Sequence, residues 1–138
     1  MFWQRNDHRR DGLNVLVIDD SPFILRMIEQ GLAAQFADCR VHTINPLDSD
    51  GVFPASLKPF DLIVLGLNLG HLGDGIDWFL KKAAPASLPP VILISASDPA
   101  NMARRVEQAG FFDWMEKDTD LVPNLARWLR PLMASRAA

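Results

Sequence analysis

The chain has 138 residues, 49% of them hydrophobic, which is enough for one domain with a substantial core and too few for two ordinary domains. Its 14 basic and 17 acidic side chains give a formal net charge of -3, without the broad basic field that nucleic-acid binding usually requires. Cys39 is the sole cysteine, which excludes a disulfide framework, and no apolar run reaches the roughly 18 to 20 residues that span a bilayer. We therefore expect one cytoplasmic domain with no transmembrane segment and no direct contact with nucleic acid.

Three segments are distinguished by their pattern. Residues 1–12, MFWQRNDHRRDG, show no sustained periodicity, which predicts a flexible N-terminal extension. Residues 13–133 carry regular apolar patterns and are expected to form the domain. Residues 134–138 are expected to be a C-terminal tail or the start of a linker.

Short β-branched apolar runs alternate with amphipathic segments through the predicted domain. The first run, LNVLVIDD from Leu13, is typical of a strand buried on both faces, and Ser21 and Pro22 then suit the N-cap and first position of a helix. Further strands are predicted over residues 40–44, 61–67, 91–95 and 111–115. Helices are predicted over residues 22–36, 76–84, 99–109 and 120–133, with a weak helix over 48–58 that Gly51 and Pro54 oppose.

Strict alternation of strands and helices predicts a parallel sheet covered on both faces, because parallel neighbours need crossover connections. Five such units make a doubly wound α/β fold. In open sheets of this kind, ligands and chemistry lie at the carboxyl ends of the strands. The functional residues are therefore expected at that edge.

The predicted strand ends carry a distinctive set of side chains. They are Asp19 and Asp20 after the first strand, Gly66 and Asn68 at the third, Ser95 at the fourth and Lys117 after the fifth. Two adjacent carboxylates can hold a hard cation such as Mg²⁺, and a hydroxyl with an ammonium group can bind phosphoryl oxygens. The set lacks a nucleophile at its centre.

Four motifs in this order resemble the receiver domains of bacterial two-component response regulators. They are VLVIDDS at 15–21, DLIVLGLNL at 61–69, VILISAS at 91–97 and GFFDWMEK at 110–117. The resemblance covers residues 13–133 and implies a flavodoxin-like fold, with a five-stranded parallel sheet in the order 2-1-3-4-5 and helices on both faces. It also implies a signalling module in place of an enzyme. In this family an aspartate at the end of the third strand accepts a phosphoryl group from a histidine kinase, with Mg²⁺ held by the acidic pair.

That acceptor falls on Gly66, which has no side chain to phosphorylate. Other departures from the family agree: Asp118 replaces the proline that follows the family's lysine, the third-strand turn is LGHLGDG at 69–75, and the switch aromatic falls on Trp114. We therefore expect a degenerate, phosphorylation-independent receiver that acts through a protein partner, either an output or kinase-type regulatory protein, or a second copy of itself. No cofactor is expected to be required, and Asp19 and Asp20 are expected to bind Mg²⁺ weakly at most.

Two alternatives stay open at this point. Asp74, between Gly73 and Gly75, is an unorthodox candidate for the phosphoryl acceptor, although an aspartate there also suits a helix N-cap. The second alternative is a sensor that admits a small molecule or nucleotide into the space opened at Gly66. Asp19 and Asp20 have a structural interpretation as well, in which one carboxylate forms a buried salt bridge with Lys117.

The expected docking face is formed by the last two predicted helices and the fifth strand. Its candidate residues are Arg104, Arg105, Trp114 and Trp128. Aromatic and arginine side chains are typical interface anchors. The resemblance implies a switch ring at Trp114, and the larger indole is expected to stay in one position. The plainer expectation is that the arginines are solvated and that Trp128 belongs to the core.

Overall fold

The computed structural model describes residues 12–48, 52–83, 88–96 and 99–137, with side chains as far as residue 135. The N-terminal extension expected over residues 1–12 therefore lies outside the described residues, except for Gly12, which is buried where the first strand begins. Among the described residues, no helix has the length and apolar character needed to cross a membrane.

Five parallel strands form one sheet, in the order β2-β1-β3-β4-β5. Their bounds are β1 Leu13–Ile18, β2 Cys39–Ile44, β3 Leu62–Gly66, β4 Val91–Ser95 and β5 Asp113–Glu116. The helices of the described residues are α1 Pro22–Gln35, α2 Gly75–Lys82, α3 Pro99–Ala109 and α4 Leu121–Ala137, and a short 3-10 turn spans Gly70–Leu72. The predicted flavodoxin-like architecture and strand order are confirmed.

Two apolar cores lie on opposite faces of the sheet, because neighbouring strand residues point to opposite sides. In β1, Val15 and Val17 join the core under α1 and α4, whereas Leu16 and Ile18 join the core under α2 and α3. The inner strands β1, β3 and β4 are buried along almost their whole length, as a sheet covered on both faces requires.

The helix starts follow from their local sequence. Ser21 caps α1 by accepting a hydrogen bond from the Ile24 amide at 3.2 Å, and Pro22 takes the first helical position. A Cβ at Gly31 of α1 would overlap the side chain of Val122 in α4, so glycine at this position permits a close approach of the two helices.

The weak helix and the end of the last helix differ from the prediction. The weak helix over residues 48–58 does not form in the described part, residues 52–58; there Phe53 and Leu57 pack into the core beneath α2 from an irregular segment. The last helix runs on to Ala137, so most of the expected tail at 134–138 is helical. Pro131 lies inside this helix, where it has no N–H to donate to the carbonyl of Arg127, and both residues are exposed.

Candidate functional site

The carboxyl ends of the strands bring together Asp19, Gly66, Ser95 and Lys117. The amide of Lys117 donates to the carbonyl of Ser95 at 2.8 Å, which extends the β4–β5 pairing by one residue and places Lys117 at the sheet edge. From there its Nζ reaches Asp19 Oδ1 at 2.7 Å. The predicted clustering of these four residues therefore exists.

Asp19 occupies the space in front of Gly66. A Cβ built on Gly66 would overlap Asp19 Oδ1 and lie 3.1 Å from Asp19 Cγ. The side chain of Asp19 is fully buried, and its Oδ2 accepts a hydrogen bond from the Ser21 amide at 3.0 Å. The vacated space that a ligand sensor would need is thus filled by a neighbouring carboxylate.

The Asp19–Lys117 contact is a buried charge pair. Burial raises the pKa of Asp19 above its usual value of 3.8. The hydrogen bond and the positive charge of Lys117, together with the hydrogen bond from the Ser21 amide, oppose that rise. The 2.7 Å separation of Nζ and Oδ1 brings two opposite charges into direct contact in a buried setting. The alternative structural interpretation of this pair, as a salt bridge with Lys117, matches the geometry.

The loop between β3 and α2 folds back over the end of β3. The Gly75 amide donates to the Leu67 carbonyl at 2.5 Å, and a side chain at Gly75 would overlap the Gly66 carbonyl. Backbone pairing of Asn68 with Asp74 closes the loop, and Asn68 itself is exposed. Asn68 therefore lies at the predicted edge but outside the buried charge pair.

Asp74 is the N-cap of α2 and not a free loop carboxylate. Its Oδ1 accepts from the amides of Ile76 and Asp77 at 2.9 and 3.1 Å. Its Oδ2 forms an ion pair with Arg105 at 2.7 Å. The sequence suggested the cap, but it gave no signal for the ion pair, because the two residues are far apart in the chain.

This geometry agrees with the comparison to known proteins. The family model of the response regulator receiver domain matches residues 15–126. The chain belongs to the response regulator receiver domain family. No curated protein sequence matches it. As a receiver it is a module of two-component signalling, a class that generally acts without enzymatic activity of its own.

Solved receivers share this fold at low sequence identity. A response regulator from Thermotoga maritima is 14% identical, with a TM-score of 0.66 over 89% of this chain and 98% of that chain. The chemotaxis protein CheY4 from Vibrio cholerae is 18% identical, with a TM-score of 0.62 over 87% and 98%. A response regulator receiver protein from Burkholderia phymatum is 22% identical, with a TM-score of 0.62 over 90% and 94%.

The carboxylates of this receiver do not fit the metal site that its family implies. Asp19 is already neutralised by Lys117, Gly66 supplies no carboxylate, and Asp20 is half-buried beside the 3-10 turn, where a side chain at Gly70 would lie 3.4 Å from its Oδ2. Among the described residues, no three acidic, histidine or cysteine side chains are grouped to hold a metal ion. A hard divalent cation prefers several oxygen ligands, so this donor set is a poor one.

The expected docking residues of the receiver have different surroundings. Trp114 packs against the core under α2 and α3, whereas Trp128 packs against the core under α1 and α4. Arg104 is exposed and bonds Asn101 of its own helix at 2.7 Å, as expected for a solvated arginine. Arg105 differs from that expectation, because it is bound to Asp74.

Phe112 is an exposed aromatic residue that the sequence analysis did not single out. Phe112 is 58% exposed, and its ring lies edge-on to the ring of Trp128 at 5.2 Å between centroids. Phe112 was assigned to the fifth strand, but that strand begins one residue later, at Asp113. The adjacent aromatic pair at residues 111 and 112 was the available signal, since neighbouring residues in an extended chain point in opposite directions.

Proposed function

We propose that this receiver is a phosphorylation-independent signalling module that acts by contact with a protein partner. The observation that carries the proposal is the position of Asp19. Its carboxylate fills the space in which an acceptor side chain at residue 66 would begin, and it is paired there with Lys117 at 2.7 Å. The lysine that would bind a phosphoryl group is thereby already engaged.

Neither Asp19 nor Asp74 is well placed to accept a phosphoryl group. Asp19 is fully buried, so an incoming phosphodonor has no access to its oxygens. Both oxygens of Asp74 are occupied, one by the start of α2 and the other by Arg105. A nucleophile must be both free and accessible to react, and neither residue combines the two properties. The donor set also supports a site that does not require Mg²⁺.

The output of such a module has to come from a surface with one fixed shape. We infer that this surface is the face of α3, β5 and α4, and that it binds either an output or regulatory protein or a second copy of this chain. Trp114 supports a fixed face, because it is half-buried and packs into the core beneath α3. A large ring held in this way does not alternate between two positions without repacking its neighbours.

The test is incubation with a small phosphodonor and Mg²⁺, followed by intact mass. An active receiver in the same tube shows that the phosphodonor is reactive. Gly66→Asn places a side chain of the size of aspartate at residue 66 without adding a nucleophile. Wild type and Gly66→Asn are expected to show no phosphoryl adduct. An adduct on wild type would refute the proposal, and its loss in Asp74→Asn would assign the phosphoryl group to Asp74.

A further inference from the structure

The ion pair between Asp74 and Arg105 connects two parts of the fold that are distant in sequence. Asp74 ends the loop that covers the carboxyl end of β3, and Arg105 lies in the middle of α3. The atoms Arg105 Nη2 and Asp74 Oδ2 are 2.7 Å apart, and the two side chains are 25% and 28% exposed. The pair is therefore shielded for most of its surface, unlike an ion pair that projects into solvent.

The two oxygens of Asp74 have separate partners. Oδ1 accepts the first amides of α2, which fixes the carboxylate relative to the helix axis. Oδ2 is left to face Arg105. Because the cap holds Asp74 in place already, little further side-chain freedom is lost when Arg105 binds it.

Asp74 is also tied to the position of the missing acceptor. Its neighbour Gly75 packs directly on the Gly66 carbonyl and donates to the Leu67 carbonyl. Contacts therefore run without interruption from the end of β3 through Gly75 and Asp74 to Arg105 of α3. The links are backbone packing, a helix cap and an ion pair.

Helix α3 contacts the core through three apolar side chains. Met102 and Val106 are buried on the side that faces the sheet, and Ala109 is partly buried against the same core. Arg105 lies next to Val106 and reaches across to the loop, so its ion pair adds a directional contact that opposes sliding and rotation of the helix.

We propose that the Asp74–Arg105 pair is a built-in cross-link that holds α3 in one position relative to the end of β3. Arg105 and Asp74 are positioning residues in this device: they favour one position of the α3 side of the α3–β5–α4 face, with no modification at residue 66. The inference rests on the proposed function, since it assigns to that face its fixed conformation.

Hydrogen exchange on the full chain tests the cross-link. The variants are Arg105→Gln, Asp74→Asn, which keeps an oxygen for the cap, and the double variant; Arg104→Gln is the matched control on the same helix. Amides of α3 are expected to exchange about two- to five-fold faster in Arg105→Gln and Asp74→Asn, with no further gain in the double variant. Arg105→Lys, which keeps the charge, is expected to restore part of the protection. Peptides of β1 report any change in global stability.

Equal exchange of α3 in Arg105→Gln and Arg104→Gln would overturn the cross-link. Additive effects of Arg105→Gln and Asp74→Asn would overturn it as well, because they would mean that the two side chains act independently. Neither result depends on phosphorylation. A phosphoryl adduct on wild type would refute the proposed function and leave the exchange result standing, so the two failures are distinguishable.

Discussion

Replacing Lys117 by methionine removes the positive partner of a buried carboxylate. The substitution keeps a long unbranched side chain and leaves Asp19, fully buried, with only the Ser21 amide to stabilise its charge. Breaking a buried ion pair from one side typically costs about 3 to 5 kcal/mol. Since Lys117 is 15% exposed and Asp19 can take up a proton, we expect the lower end, about 3 kcal/mol of the free energy of unfolding.

The double variant Asp19→Asn/Lys117→Met separates the pair from the burial of its members. It removes both charges, so we expect it to be more stable than Lys117→Met by about 2 kcal/mol. Urea unfolding at pH 7 of wild type, both single variants and the double variant gives the coupling energy. The opposite result is a loss of less than about 1 kcal/mol in the free energy of unfolding for each single variant, with a double-variant loss equal to their sum. It would show that the two groups do not interact in the folded chain, and the geometry of the site would then be wrong.

Three other outcomes follow from the same contacts. Because burial raises the pKa of Asp19 in the folded chain above 3.8, its negative charge opposes folding at pH values above that raised pKa. The free energy of unfolding of wild type, measured relative to Asp19→Asn, should therefore rise as the pH falls through the raised pKa toward 3.8. A difference that does not change with pH would contradict the burial of Asp19. Gly66→Ala should lower the free energy of unfolding by about 1 to 3 kcal/mol, measured by thermal or urea unfolding, because the added methyl group displaces Asp19. The loss should be smaller when Asp19 is also replaced by alanine. Equal losses in both backgrounds would mean that Asp19 is not the obstacle. Burial raises the pKa of Cys39 to about 11, so a thiol reagent at pH 8 should modify it much more slowly in the folded chain than in urea; equal rates would exclude this environment.

The sheet was predictable because its signal is local. Runs such as LNVLVI are buried on both faces, and their alternation with capped helices leaves few possible topologies. The segment around Phe53 was harder, because its apolar residues pack from an irregular chain and no helical period marks them. Local pattern thus predicted each element that has its own cap or its own period.

The content of the site was predictable, but its geometry was not. The motifs placed Asp19, Gly66 and Lys117 at one edge, since parallel strands share their carboxyl ends. Whether Asp19 turns outward to a cation or inward to Gly66 depends on a rotamer and on the space that glycine leaves. The ion pair of Asp74 with Arg105 joins residues on different elements, and a single sequence carries no sign of such a pairing.

The most direct test of the central claim is a titration of the isotope-labelled chain with beryllofluoride and Mg²⁺, followed by nuclear magnetic resonance. Beryllofluoride coordinates an accessible acceptor carboxylate as a phosphoryl group does. With Asp19 buried against Gly66 and paired with Lys117, the amide shifts of Gly66, Ser95 and Lys117 are expected to stay unchanged at every concentration. Saturable shifts at these three residues would show that the site still binds a phosphoryl-like group, and that this receiver has kept the switch.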